Sequence, residues 1–378
     1  MTIIATNDPR VVTPAPQLAD AAANAAAALR GWKQIAAYLH RDVRTVQRWE
    51  RSEHLPVRRQ LHLKLGTVHA LRADLDGWLA NRTSPQAGGE TPFGTRDPKA
   101  YELYLKGRQL THLFSRKSFE RARELFRRAI ALDPTYALAH AGLADCCSYL
   151  YLYWEPTLDN LRTADSASRQ ALGLGPGFAE AQVSRAVALS TLRNYPEAEQ
   201  VFRAAIAIDP DLFEAHYFYG RAYLAQGRLK EAIAPLRSAC KARPDDYQAP
   251  ALLGSAYTGL GRRAAATRAY ARVIEVARQQ LSVHPGDVRA LYLGAGALAK
   301  LGRKKTALAW ATRALDLDSK DSAVLYNIAC LYAILGRTAD ALRCLKKVVR
   351  SGWRKEWIKH DPDLASLRKL REFAALIS

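Results

Sequence analysis

The sequence has no CxxC pair among its five cysteines, Cys146, Cys147, Cys240, Cys330 and Cys344, and no histidine stands near them at zinc spacing. A disulfide framework and a structural zinc site are therefore not expected; the thiols read as reduced, mostly buried and suited to a disulfide-poor compartment. No apolar run approaches the roughly 18 residues that a membrane span needs. The opening MTIIATNDPRVV lacks a basic segment followed by an apolar one, so no secretory signal is read there and the expected location is cytoplasmic. The sequence also lacks a GxSxG elbow, a phosphate-binding GxxxxGK[ST] loop and an HExxH helix. His54 and His62 have no cysteine or carboxylate at ligand spacing. The chain is expected to be no enzyme, with no catalytic residues, no metal and no cofactor.

Acidic residues are scarce: 36 Asp and Glu stand against 56 Lys and Arg, a net charge of +20. Such a field attracts polyanions such as nucleic acid or anionic lipid. It does not locate a binding face, because the excess is spread out and recurs near the C-terminus in CLKKVVRSGWRKEWIKH. What is present in ordinary amount is core material, with 49% hydrophobic and 24% charged residues, so most of the chain should fold. At 378 residues, two domains or one elongated array are expected.

Composition breaks the chain into segments. Residues 1–30 are rich in Ala, Pro, Thr and Asn and lack aromatics; LADAAANAAAALR favours helix but offers few large apolar side chains to fasten it, which reads as a flexible N-terminal arm. The run NRTSPQAGGETPFGTRDP reads as a linker, assigned to residues 84–98. Residues 31–83 then form a small domain, 99–353 a helical array and 354–378 a C-terminal capping helix region.

The array repeats. Pro134, Pro176, Pro210, Pro244 and Pro285 end successive units, and Ser319 stands where a further proline is expected, at spacings near 42, 34, 34, 41 and 34 residues. About 34 residues is two helices and their turns. Small residues recur in first helices (Ala144, Ala186, Gly220, Gly254, Ala295, Ala329) and second helices (Ala198, Ala232, Ala266, Ala307, Ala341). Large ones recur at Phe126, Phe202, Leu236, Tyr270 and Leu345. On these residues the array resembles tetratricopeptide repeats, which implies an α-solenoid of about seven helix pairs, mostly all-α, whose inner groove holds a protein or peptide partner. The resemblance puts Tyr217, Arg221, Arg289, Tyr292, Tyr326 and Asn327 in that partner-binding groove. Two units are lengthened, by LYLYWEPTLDN and by EVARQQLSVHP; the rings Tyr149, Tyr151, Tyr153 and Trp154 either form a binding surface or pack the lengthened pair.

In the small domain, GWKQIAAYLH reads as a helix and Asp42 as the cap of a second helix from Val43 to about Arg51. Val43, Val46 and Trp49 fall inward; Arg44, Gln47, Arg48 and Arg51 fall outward, with Thr45 beside them. Val57–Arg59 and Thr67–Ala70 read as a hairpin, and RADLDGWLANR as a closing helix through Leu75, Trp78 and Leu79. With WKQIAAYLHRDVRTVQRWE as its core, the order resembles the winged helix-turn-helix domains of the MerR and excisionase type. The resemblance implies that Arg44, Thr45, Gln47 and Arg48 face bases of double-stranded DNA in the major groove, while Arg51, Arg58, Arg59, His62 and Lys64 contact phosphates. The turn departs from the family, with His40 and Arg41 where a glycine and an apolar residue are usual. The function expected is that of a bacterial, DNA-binding transcriptional regulator with a partner-binding solenoid, possible also as a homodimer. The alternatives are an interaction scaffold whose N-terminal module binds protein, and a DNA architectural or recombination accessory protein.

Overall fold

The computed structural model describes residues 28–39, 41–53, 55–60, 67–82, 94–353 and 355–377. The chain divides into two compact units, Met1–Pro92 and Phe93–Ser378.

The first unit runs β1 (Ala28–Arg30), α1 (Gly31–Tyr38), α2 (Val43–Glu53), β2 (Arg58–Gln60), β3 (Thr67–Leu71) and α3 (Arg72–Arg82). The two strands read as a hairpin do pair, Arg58 with His69 and Gln60 with Thr67. A third strand was not foreseen. Ala28–Arg30, assigned to the flexible arm, pairs antiparallel with the other edge of β3, Leu29 opposite Ala70. The physical reason is an apolar anchor: Leu29 is buried with Ile35, Val68 and Ala70, and Gly31, at φ 76°, turns the chain from strand into helix where a side chain would be strained. The remainder of the arm, residues 1–27, lies outside the described residues.

Helix α1 ends in a tight turn in which the Arg41 amide donates to the Ala36 carbonyl at 2.9 Å. That six-residue closure satisfies a terminal carbonyl of α1 although no glycine is present; His40 itself lies outside the described residues. The core is Leu29, Ile35, Ala36, Leu39, Val46, Trp49, Leu55, Val68, Ala70 and Leu75. Trp49 meets Trp78 of α3 at 5.7 Å between ring centroids.

The second unit is a stack of seven antiparallel helix pairs: α4 (Pro98–His112) with α5 (Arg116–Leu132), α6 (Ala137–Tyr153) with α7 (Leu158–Leu174), α8 (Ala179–Thr191) with α9 (Tyr195–Ile208), α10 (Phe213–Ala225) with α11 (Leu229–Ala242), α12 (Gln248–Gly259) with α13 (Arg263–Val283), α14 (Val288–Lys300) with α15 (Lys304–Leu317), and α16 (Ser322–Ile334) with α17 (Thr338–Arg350). It starts earlier than the sequence boundary. Residues 94–98, assigned to the linker, belong to it: Asp97 caps α4 by accepting from the Lys99 and Ala100 amides, and buried Thr95 donates to the Asp133 carboxylate. At the far end, α18 (Lys355–His360), a 3-10 turn (Pro362–Leu367) and α19 (Arg371–Ile377) bury Ile358, Leu364, Leu367 and Phe373.

In the first, fourth and fifth pairs a glycine on the first helix faces a large residue on the second. A Cβ added at Gly220 would lie 2.6 Å from the Leu236 side chain, and one at Gly254 would lie 2.5 Å from the Tyr270 ring. Helices approach this closely only where a side chain is missing. The sixth pair varies the theme: Ala295 is fully buried, and its neighbour Gly294 makes room for Trp310. Between the helices of four pairs the chain passes through a left-handed glycine, Gly227, Gly261, Gly302 or Gly336. Phe114 (φ 42°) and Arg193 (φ 63°) occupy that place in the first and third pairs, at a cost of about 1–2 kcal/mol each. Between successive pairs, proline carbonyls are used as acceptors: His140 bonds Pro134 at 2.9 Å, His216 bonds Pro210 at 2.8 Å and Gln182 bonds Pro176 at 3.1 Å. That is one reason histidines gather at repeat boundaries.

Leu236 is completely buried, and Leu236→Ala leaves a void the flanking backbone cannot fill. A loss of about 2–5 kcal/mol is expected, read as a lower urea midpoint at unchanged slope.

Candidate nucleic-acid interface and the inner face of the solenoid

In the small unit, the Asp42 carboxylate caps α2, accepting from the Thr45 amide at 2.9 Å and from the Thr45 hydroxyl at 2.7 Å. Val46 and Trp49 are buried, with Val43 packed beside them. Arg44 and Arg48 are exposed, while Thr45 and Gln47 are half-buried. Arg44 and Arg48 therefore lie on the outward side of α2, and the Thr45 hydroxyl is committed to the helix cap, so it serves α2 before any base. Arg41 lies over the Trp49 ring at 5.9 Å. Arg51 lies on α2 and Arg58 and Arg59 on β2, without described side chains. His62 and Lys64 lie outside the described residues.

The groove residues of the solenoid are placed differently from expectation. Tyr217 and Tyr292, expected to be exposed, are 5% and 6% accessible. Tyr217 stacks on Phe213 at 5.3 Å and meets Phe218 at 5.0 Å. The C-terminal end of α6 and the turn after α4 carry Tyr149, Tyr153, Trp154 and Phe114, which form one aromatic cluster with centroid separations of 5.3–5.7 Å about Phe114. That cluster reaches far along the sequence. The Trp154 indole donates to the Asp321 carboxylate at 3.0 Å, Tyr153 meets Trp353 at 5.9 Å, and Tyr149 meets Phe218 at 5.8 Å. The lengthened second unit therefore packs inward.

Tyr326 stacks on Trp353 at 5.0 Å and donates its hydroxyl to Asp361. Asn327 donates to the Ala323 carbonyl of its own helix at 2.8 Å. Neither is disposed as a free anchor. Arg221 and Arg289 are brought together around Tyr153 and Tyr217: Arg221 donates to the Tyr153 hydroxyl and lies 5.9 Å from the Tyr217 ring centroid. Arg289 lies 3.5 Å over the Phe114 ring. Phe114, Trp353 and Asp361 were not singled out from sequence. The available signal for Phe114 was its position, where four other pairs carry glycine.

A charged cluster lines the first helices. Arg243 donates to Glu214 at 2.8 Å and lies 4.0 Å over Phe213. Burial pushes Glu214 upward, but Arg243 and Arg108 outweigh it and leave that carboxyl below its ordinary value. Asp145 goes the other way: burial raises it to about 7 against the opposing Ser184 hydrogen bond and Arg108 charge. A raised folded-state value favours the protonated carboxyl in the native state, so this contribution is complete below the unfolded value near 3.8 and is lost as pH rises through about 7. Asp145→Asn, which stays neutral, should gain stability relative to the parent across that window, seen as a widening difference in Tm.

Residues 158–293 match the bacterial transcriptional activator domain, and residues 322–351 match a tetratricopeptide repeat. Over 128 residues the chain is 29% identical to a putative adenylate cyclase 3 of Rhizobium meliloti (strain 1021), covering 33% of this chain and 21% of that protein. The chain thus spans about a fifth of the length of that curated relative. Two solved structures, the human IFIT1 dimer with m7Gppp-AAAA and the human IFIT1 dimer with PPP-AAAA, superpose with TM-scores of 0.52 and 0.51 at 16% and 17% identity, covering 74% of this chain and 65% of theirs. At that identity the likeness is one of fold. The second unit is an all-α solenoid of tetratricopeptide type, similar over residues 158–293 to the bacterial transcriptional activator domain.

Proposed function

We propose that the chain is a bacterial, cytoplasmic, DNA-binding transcriptional regulator, not an enzyme, in which a winged helix-turn-helix unit of MerR and excisionase type reads duplex DNA and the solenoid engages a protein or peptide partner. The observation that carries this reading is helix α2. Its cap at Asp42 and its buried Val46 and Trp49 leave Arg44 and Arg48 exposed, the side-chain chemistry that bonds guanine edges. The net charge of +20 supplies attraction for the phosphate backbone, and the match to a transcriptional activator domain supports a regulatory role. Since Tyr217 and Tyr292 are covered, partner capture is assigned to other surfaces of the array. A homodimer on a two-fold operator is compatible with this reading.

Fluorescence anisotropy of the full chain with selected duplex fragments tests it. Affinity should fall steeply with salt as neutralised phosphates release counterions. Arg48→Ala should change which sequences are selected, at a cost of about 1–3 kcal/mol for the preferred base. Arg58→Ala should weaken all sequences alike. Absence of binding to any fragment at low salt sinks the DNA reading.

A further inference from the structure

We propose that Arg221 and Arg289 form a binding site, on the inner face of the solenoid, for a small dianionic oxyanion ligand, a function separate from DNA and partner binding. The two residues lie on α10 and α14 and are wrapped by ring faces instead of carboxylates. Arg221 lies 5.5 Å over Tyr153, 5.9 Å over Tyr217 and 5.9 Å over Phe218. Arg289 lies 3.5 Å over Phe114, and its buried Nε has no hydrogen-bond partner. Among the described residues, neither guanidinium forms an ion pair.

The nearby carboxylates are already committed. Asp246 accepts from the Gln248 and Ala249 amides and from the Gln248 side chain. Asp321 accepts from the Ala323 and Val324 amides and from Trp154. Asp361 accepts from Tyr326 and from the Asp363 amide. Arg289 is also the second residue of α14, at the helix end whose dipole disfavours a cation and favours an anion. The Asp246 charge reaches Arg289, but among the described residues no carboxylate is in ion-pair contact with either guanidinium, and two confined cations so placed are unfavourable. Ring faces offset part of this, and an oxyanion that accepts from both planar forks would complete it.

The bond from Trp154 to Asp321 and the contact of Tyr153 with Trp353 cross the inner face beside the rings that hold the arginines, which favours a compact ligand over an extended chain. Two cations are matched by two negative charges, as on a phosphoryl group or a short dicarboxylate. Phe114, held at φ 42° in the turn between α4 and α5, forms the platform beneath Arg289.

The test is thermal unfolding of the full chain with inorganic phosphate, pyrophosphate or succinate, each against sodium chloride at equal ionic strength. At least one of these should raise Tm by on the order of 5 °C at a hundredfold excess over Kd, and the three arms separate phosphoryl from dicarboxylate chemistry. Arg289→Met and Arg221→Met should each abolish the rise. Arg289→Lys, which keeps the charge without the fork, should retain part of it and serves if a methionine variant does not fold. No rise with any of the three anions overturns the proposal. So does a rise of equal size in parent and variants, which would mark general screening of the basic chain.

Discussion

Removing a side chain from one helix so that its neighbour can come close is the constraint on which the solenoid rests. At Gly220 against Leu236 and Gly254 against Tyr270, an added Cβ would fall well inside van der Waals contact. The depth of these notches sets the spacing within each pair, and that spacing decides which residues of the first helices reach the inner face. Packing at this density leaves little room for adjustment. When one unit changes its notch, as Gly294 does for Trp310, the large residue must shift with it.

Much of this architecture was readable in the sequence because it is periodic. Small and large residues recur in phase, and the positions named from that phase, Ala232, Phe126, Phe202 and Leu236 among them, are buried. The order of the small unit was readable for the same reason: Val46, Trp49 and Leu75 fall on faces fixed by helical spacing. What escaped was not periodic. Leu29 anchors a three-residue strand in an alanine-rich stretch, too short to give a pattern. The short segment before α4 escaped because Thr95 and Asp97 act through single hydrogen bonds to distant or capping groups, which composition does not display.

The inner face shows the limit most clearly. Tyr217, Tyr292 and Tyr326 do share one position on the first helices α10, α14 and α16, and analogy made that position a binding surface. Whether such a position is open depends on how far the array curves and on what it meets. Here Phe213 and Phe218 pack on Tyr217, and Trp353 packs on Tyr326. The contact of Trp154 with Asp321 spans 167 positions, a separation at which no local pattern carries information. Arg221 and Arg289 keep their place among the rings, with aromatic faces as neighbours.

That same long-range bond alters how the array holds together. In an open solenoid each repeat touches only its neighbours, and stability is close to a sum of local terms, so the ends fray independently. Linking α6 to α16 and to Trp353 closes a loop of interactions through the interior of the stack. Loosening the last pair then exposes rings belonging to the second. The solenoid is thereby tied into one cooperative body, more like a fastened hoop than a spring with free ends.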